Sequence, residues 1–97
     1  MPRRPKKSKY KSVVIKKKRY YFYKITWVDI TGDAGHADLH TASGFMPSQM
    51  ITHAYLFEKN RKYVWTFASY EEGDELFSDR NVFPIGCIVK MEKISER

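Results

Sequence analysis

From residue 20 onward, aromatic and β-branched residues recur along most of the chain with the period of two that is typical of β-strands. The first alternating segment covers residues 20–28. Every second residue from Tyr21 to Trp27 lies on one face of this segment and is aromatic or β-branched, which favours a strand. Residues 29–35 hold two glycines and two aspartates, so the pattern predicts that the strand ends there in a turn.

Two further alternating segments, 49–57 and 61–70, are separated by a short polar connection. Two adjacent strands joined in this way predict an antiparallel hairpin with a connection of about three residues. The stretch 36–47 has no clear period, and we expect a loop there with at most a short helix.

The C-terminal third adds an acidic turn at 71–75 and two further strand segments, 82–86 and 87–94, which complete the pattern. Leu76 and Phe77 are expected to fold back over one end of the core, and Pro84 to lie at a strand end or edge because it cannot donate to a ladder. About five short strands with little helix predict an all-β fold, a small antiparallel five-stranded barrel or bent sheet. An SH3-like or Sm-like barrel is the first expectation, and an OB-like barrel is the second.

Composition limits the chain to one small domain. It has 97 residues, of which 42% are apolar and 15% aromatic, and one cysteine, which cannot form an internal disulfide. No apolar run is long enough to span a bilayer, and no apolar segment follows the basic N-terminus as in a secretory signal. A domain of this size buries only about 60% of its extended-chain surface, so most of its aromatic rings are needed for the core.

Charge is segregated along the chain, whose net charge is +7. Residues 1–19 contain ten lysines and arginines and no acid, whereas residues 20–97 contain eight basic residues and all eleven acids, a net charge of −3. This division predicts a basic N-terminal arm, 1–19, joined to a β-domain, 20–97. The arm is expected to be disordered to about residue 11, and the β-branched triplet 13–15 could add an edge strand.

The uncompensated cations predict a polyanionic partner, with nucleic acid as the first candidate, because each neutralised phosphate releases condensed counterions. A solubilising tail is the alternative interpretation of the arm. A membrane surface is not expected, since the arm has no amphipathic helix. Any stacking ring should come from Tyr20, Tyr21 or Tyr63 rather than from Trp27 or Trp65. The predicted contact residues are Arg3, Arg4, Lys6, Lys7, Lys9, Lys11, Lys16, Lys17, Lys18, Arg19, Tyr20, Tyr21, Lys59, Arg61, Lys62 and Tyr63.

Three polar residues, His36, Asp38 and His40, alternate and would share one face of an extended backbone, a spacing that could hold Zn²⁺. A solvated loop is the favoured interpretation, so no metal is expected. The chain has no glycine-rich phosphate cradle and no Gly-x-Ser-x-Gly segment. We therefore expect neither an enzyme nor a cofactor.

Three segments carry a resemblance to a known group: 25–30 (ITWVDI), 44–47 (GFMP) and 82–88 (VFPIGCI). Over residues 23–94 the chain resembles small uncharacterised proteins encoded by tailed bacteriophages. Those proteins have an early hydrophobic-x-Trp-x-Asp segment and a late Ile-Pro-x-Gly segment. The late segment also resembles the proline-containing turn before the last strand of SH3-like barrels. The resemblance implies a phage accessory protein without an assigned activity, working in the cytoplasm of the host cell and not secreted.

Three functions remain open on these grounds. The leading one is a non-enzymatic accessory protein that binds nucleic acid through the arm and the adjoining aromatic strand. The second is an oligomeric sponge that sequesters a nucleotide signal of the host's immunity. The third is a virion structural part, or an inhibitor that docks on a host protein through a sheet edge. Homo-oligomers are compatible with all three.

Overall fold

The computed structural model describes residues 9–73 and 76–96, and most of that chain lies in β-strands. The strands are β1 (Ser12–Ile15), β2 (Lys18–Asp29), β3 (Ser48–Lys59), β4 (Tyr63–Tyr70), β5 (Phe77–Pro84) and β6 (Ile88–Lys93), with a short helix α1 (Leu39–Ser43) and a 3₁₀ turn (Ile85–Cys87). The prediction of an all-β fold is confirmed, with six strands in the described chain rather than about five. The short helix in the loop is also present.

β2 organises the sheet, because its twelve residues pair with three other strands. One edge pairs with β3 from Phe22 to Asp29. The other edge pairs first with β1, from Lys18 to Tyr21, and then with β6, from Tyr23 to Trp27. All pairs are antiparallel, in the order β1-β2-β3-β4-β5, with β6 returning to β2. Within residues 9–73 and 76–96, no ladder joins β5 to β1 or β6, so the sheet is open and the predicted barrel closure is not seen.

Two apolar cores lie on opposite faces of this sheet. One core consists of the buried side chains of Ile15, Tyr20 and Phe67, and the other of Ile25, Val64 and Phe83. Tyr20 and Ile25 are five positions apart on β2, and successive side chains of a strand point to opposite faces, so the two cores cannot share a face. This arrangement explains why β2 carries large apolar residues on both faces instead of alternating with polar ones.

β3 and β4 form the predicted hairpin, with a connection of three residues, 60–62. The side chain of Asn60 stabilises this turn, because its Oδ1 accepts hydrogen bonds of 2.8 Å from the backbone N–H groups of Lys62 and Tyr63. The register shifts between Leu56 and Glu58 on β3, and such a bulge bends the strand locally.

The N-terminal segment joins the sheet earlier than the charge pattern suggests. Tyr10 forms a bridge with Ser95, and the backbone N–H of Lys11 donates to the carbonyl oxygen of Ile94 over 2.9 Å. The β-branched triplet forms β1, an edge strand, as predicted. Residues 10–19 are therefore part of the sheet, whereas the predicted contacts Arg3, Arg4, Lys6 and Lys7 lie outside the described residues.

Candidate nucleic-acid interface

A two-residue turn between β1 and β2 presents the basic run of the N-terminal segment. Ile15 pairs directly with Lys18, so Lys16 and Lys17 are the two central residues of the hairpin turn. Both have positive φ, 49° and 70°, as both central residues of a type I′ turn require. The side chains of residues 16–19 are exposed. The turn therefore places four consecutive cations at one tip of the molecule.

Lys11, which precedes β1, and lysines of β2 and β6 lie over aromatic rings on the two faces of this three-stranded region. The Nζ atom of Lys11 is 4.3 Å from the ring centroid of Phe22, and that of Lys18 is 5.3 Å from the ring centroid of Tyr20. Lys93 places its Nζ 4.3 Å from the ring centroid of Tyr21. These distances are within the range of attractive cation–π contacts.

Sequence reasoning missed Lys93, which is distant in the chain from the basic segment. Lys93 enters the interface because β6 pairs with β2 and puts it opposite Tyr23. Local composition carries little signal for this contact, since β6 contains only two lysines, together with Glu92. Only a correct pairing of the last strand with β2 could have identified it.

The cations of the tip are not neutralised by acidic side chains of the described chain. Lys90 and Glu92 form the one ion pair found there, with Nζ and Oε1 3.6 Å apart. Lys16 shares a cleft with Glu71 and Glu72 of the β4–β5 turn but forms no ion pair with them. Among the described residues, the positive charge of residues 16–19 is therefore not paired with an acidic side chain.

The second group of predicted basic contacts, Lys59, Arg61 and Lys62, lies elsewhere. The backbone carbonyl of Lys62 accepts a 2.8 Å hydrogen bond from the N–H of Ile85, in the 3₁₀ turn that leads into β6. The ring centroids of Tyr20 on β2 and Phe57 on β3 are 6.1 Å apart, so Lys18 and Lys59, each two positions away, lie toward the same end of this antiparallel pair. The second basic group is therefore on the β3–β4 hairpin and not on β1, β2 or β6.

The three predicted stacking rings differ in accessibility. Tyr20 is 7% exposed and belongs to a core, where its ring packs edge-on against Phe67 and Phe77, so it offers no free face to a base. Tyr21 is half-buried, and Tyr63 is 42% exposed. Tyr21 belongs to the cation-rich region, and Tyr63 belongs to the separate β3–β4 tip.

His36, Asp38 and His40 do not lie together on an extended backbone, as the predicted metal site required. Asp38 caps α1, where its Oδ1 accepts a 2.7 Å hydrogen bond from the backbone N–H of Thr41, and this bond lowers the pKa of the Asp38 carboxyl. His40 lies within the helix. In the part of the chain that the structure describes, no group of three or more His, Cys, Asp or Glu side chains is placed to hold a metal ion.

A second unusual surface is the long loop between β2 and β3, residues 30–47. Three of its apolar side chains are almost fully solvated: Ile30 is 93% exposed, Leu39 87% and Met46 70%. The segment 25–58, which includes this loop, contains aspartates but no lysine or arginine. This loop is thus apolar and acidic, in contrast to the β1–β2 tip.

Comparisons with known proteins give no match for the chain. No protein-family model matches it, and neither a curated protein nor a solved structure gives a significant match. The resemblance to phage proteins is therefore still a prediction. Of the helical segments described, none has the length and apolar character needed to cross a membrane.

Proposed function

We propose that this protein is a non-enzymatic accessory protein that binds nucleic acid through the surface formed by β1, β2 and β6. The observation that supports this proposal most directly is the run Lys16–Arg19 at the β1–β2 tip, which forms no ion pair with the acidic side chains of residues 9–73 and 76–96 and lies next to rings on the same strands. The motif resemblance supports a phage origin. An SH3-like fold belongs to the same proposal, because the β3-β4-β5 meander is followed by a 3₁₀ turn and by a last strand that returns to β2.

The physical basis is electrostatic. Each phosphate that is neutralised releases condensed counterions, so binding weakens linearly in the logarithm of the salt concentration. The slope is about 0.7 per contacted phosphate for a single strand and about 0.9 for B-DNA. Lysines and arginines that contact only phosphates do not read bases, so this part of the affinity is independent of sequence.

A salt titration tests the proposal. We expect a fluorescein-labelled oligonucleotide to bind the full chain at low salt, with a fluorescence anisotropy signal that is lost as salt rises. Replacing Lys11, Lys18 and Arg19 with alanine should lower the magnitude of the logarithmic salt slope by about 2, because three phosphate contacts are lost.

The β3–β4 tip supplies the matched control. A triple alanine variant of Lys59, Arg61 and Lys62 removes the same charge from a different hairpin and should leave most of the slope intact. Equal losses in the two variants would mean that binding follows net charge alone. A chain that binds no oligonucleotide at any salt concentration would refute the proposed function.

The exposed loop favours a second candidate, a structural module that assembles with copies of itself. Burial of apolar surface favours association, and three apolar side chains of this one loop, Ile30, Leu39 and Met46, are exposed. Such an assembly would cover these side chains. This candidate corresponds to the virion structural alternative and requires no nucleic acid.

Sedimentation velocity measures the oligomeric state and so tests whether the loop mediates assembly. If the loop mediates assembly, the nuclease-treated protein should sediment as an oligomer, and replacing Leu39 and Met46 with serine should shift it to the monomer without lowering its melting temperature. Replacing Val89 with serine is the control, because this exposed residue lies on β6. A monomeric wild-type protein at high concentration would eliminate the assembly candidate.

A further inference from the structure

One ammonium group lies over two tyrosine rings at the junction of β1, β2 and β6. The Nζ atom of Lys93 is 4.3 Å from the ring centroid of Tyr21 and 5.3 Å from that of Tyr10. Both rings are half-buried, and Lys93 is exposed. The two centroids are thus no more than about 10 Å apart, a distance that two or three nucleotides of a strand cover at about 3.4 Å each when stacked.

Further cations flank this pair of rings on both sides. Arg19 and Tyr21 are two positions apart on β2 and share a face. The Arg19 guanidinium donates to the Oγ atom of Ser12 over 2.6 Å, and Ser12 pairs with Tyr21. Near the other ring, the Nζ atom of Lys9 is 5.4 Å from the centroid of Tyr10. Cations and rings therefore alternate in what we name the tyrosine strip, Arg19, Tyr21, Lys93, Tyr10 and Lys9.

We propose that the tyrosine strip selects single-stranded nucleic acid over duplex, an inference that rests on the proposed function. Bases stack on Tyr10 and Tyr21 while the flanking cations contact the phosphates. Every base has a π-face, so stacking of this kind tolerates any sequence. The bases of a duplex are already stacked inside the helix, and a protein must extrude one, at a cost of a few kcal/mol, before it can stack on a ring.

Binding changes the role of Lys93. In the free protein its ammonium lies over the rings, where a base would stack. A stacked base displaces the ammonium, and the exposed side chain is then free to contact the phosphate of the same nucleotide. Because this exchange gives up the cation–π contacts of the free protein, the net gain from Lys93 is no larger than that of a lysine that contacts only a phosphate.

The test compares one 12-nucleotide single strand with the duplex of the same sequence, each labelled with fluorescein, on the full chain. We expect tighter binding of the single strand. Replacing Tyr10 and Tyr21 with leucine should weaken single-strand binding by about tenfold or more for each ring without changing the salt slope, because stacking involves no counterions. The tyrosine-to-phenylalanine variants keep the rings and should bind like the wild type. They also control for folding.

Lys90 is the matched control for Lys93. It lies three positions away on β6, on the opposite face, with a similar charge. Lys93→Ala should reduce both single-strand affinity and the salt slope, and Lys90→Ala should change neither by much. Equal affinity for the single strand and the duplex would refute selection by the tyrosine strip, and so would leucine variants that bind like the wild type. Either result leaves the proposed function intact. If the protein binds neither the single strand nor the duplex, both the strip and the proposed function are refuted.

Discussion

Replacing Lys16 with asparagine and Lys17 with glycine is expected to stabilise the protein and to weaken its binding to nucleic acid. Both residues have positive φ in the β1–β2 turn. Left-handed backbone costs an ordinary L-residue roughly 1–2 kcal/mol, and Asn-Gly is the preferred sequence for this type of turn. The double variant should therefore gain about 1 kcal/mol in the free energy of unfolding, or about 4–8 °C in melting temperature.

The same variant loses two of the four cations at the tip. If both contact phosphates of a single strand, the magnitude of the logarithmic salt slope should fall by about 1.4. Thermal denaturation followed by circular dichroism and anisotropy titrations on one preparation measure both effects. Weaker binding by a more stable protein cannot be attributed to partial unfolding.

A variant with Lys59→Gln and Lys62→Gln is the control for charge. It removes two charges from the β3–β4 tip and should leave both the affinity and the melting temperature close to those of the wild type. Unchanged affinity in the variant of the β1–β2 turn would show that this tip does not contact nucleic acid. A lower melting temperature of the Lys16→Asn, Lys17→Gly variant would contradict the assignment of residues 16 and 17 to a type I′ turn.

Phe67→Ala is expected to cost about 3–5 kcal/mol of unfolding free energy, the usual range for removing a buried phenylalanine. The Phe67 side chain is fully buried, and its ring packs against the rings of Tyr20, Tyr55 and Phe77. Proteins of this size have a total stability of roughly 5–15 kcal/mol, so the variant should be largely unfolded in moderate urea.

Urea denaturation followed by tryptophan fluorescence measures the loss, since Trp27 and Trp65 are both half-buried. Val82→Ala is the control within the same sheet. Val82 is 53% exposed, and its substitution should change stability by no more than about 0.5 kcal/mol. If Phe67→Ala lowers the free energy of unfolding by less than about 1 kcal/mol, the contacts of Phe67 do not stabilise the packing of β1 and β5 with β4.

Local patterns gave the positions of most strands. The predicted segments 20–28, 49–57 and 61–70 correspond to β2, β3 and β4, and the hairpin connection has the predicted three residues. The start of β5 at Phe77 was not predicted, because the residues after Phe77 are mostly polar. This strand forms because it pairs with β4 from Tyr63 to Tyr70, and that pairing is a long-range contact.

The candidate interface was only partly visible in the sequence. The basic run at 16–19 was evident, but the charge pattern assigned it to an arm, whereas pairing with β2 makes it a hairpin turn. The rings of β2 alternate over both faces and gave no indication of which were buried. Tyr20 faces a core because β1, β4 and β5 cover it there, while Tyr21, one position later, points to the opposite face.

Periodicity and charge are properties of neighbouring residues, so the sequence alone establishes the strand type of each alternating segment and the concentration of positive charge near residues 1–19. The contact of Lys93 with Tyr10 and Tyr21, by contrast, depends on the three-dimensional structure. The pairing of β6 with β2 brings together residues far apart in the chain. It is stabilised by the packing of the whole sheet, which no local pattern records.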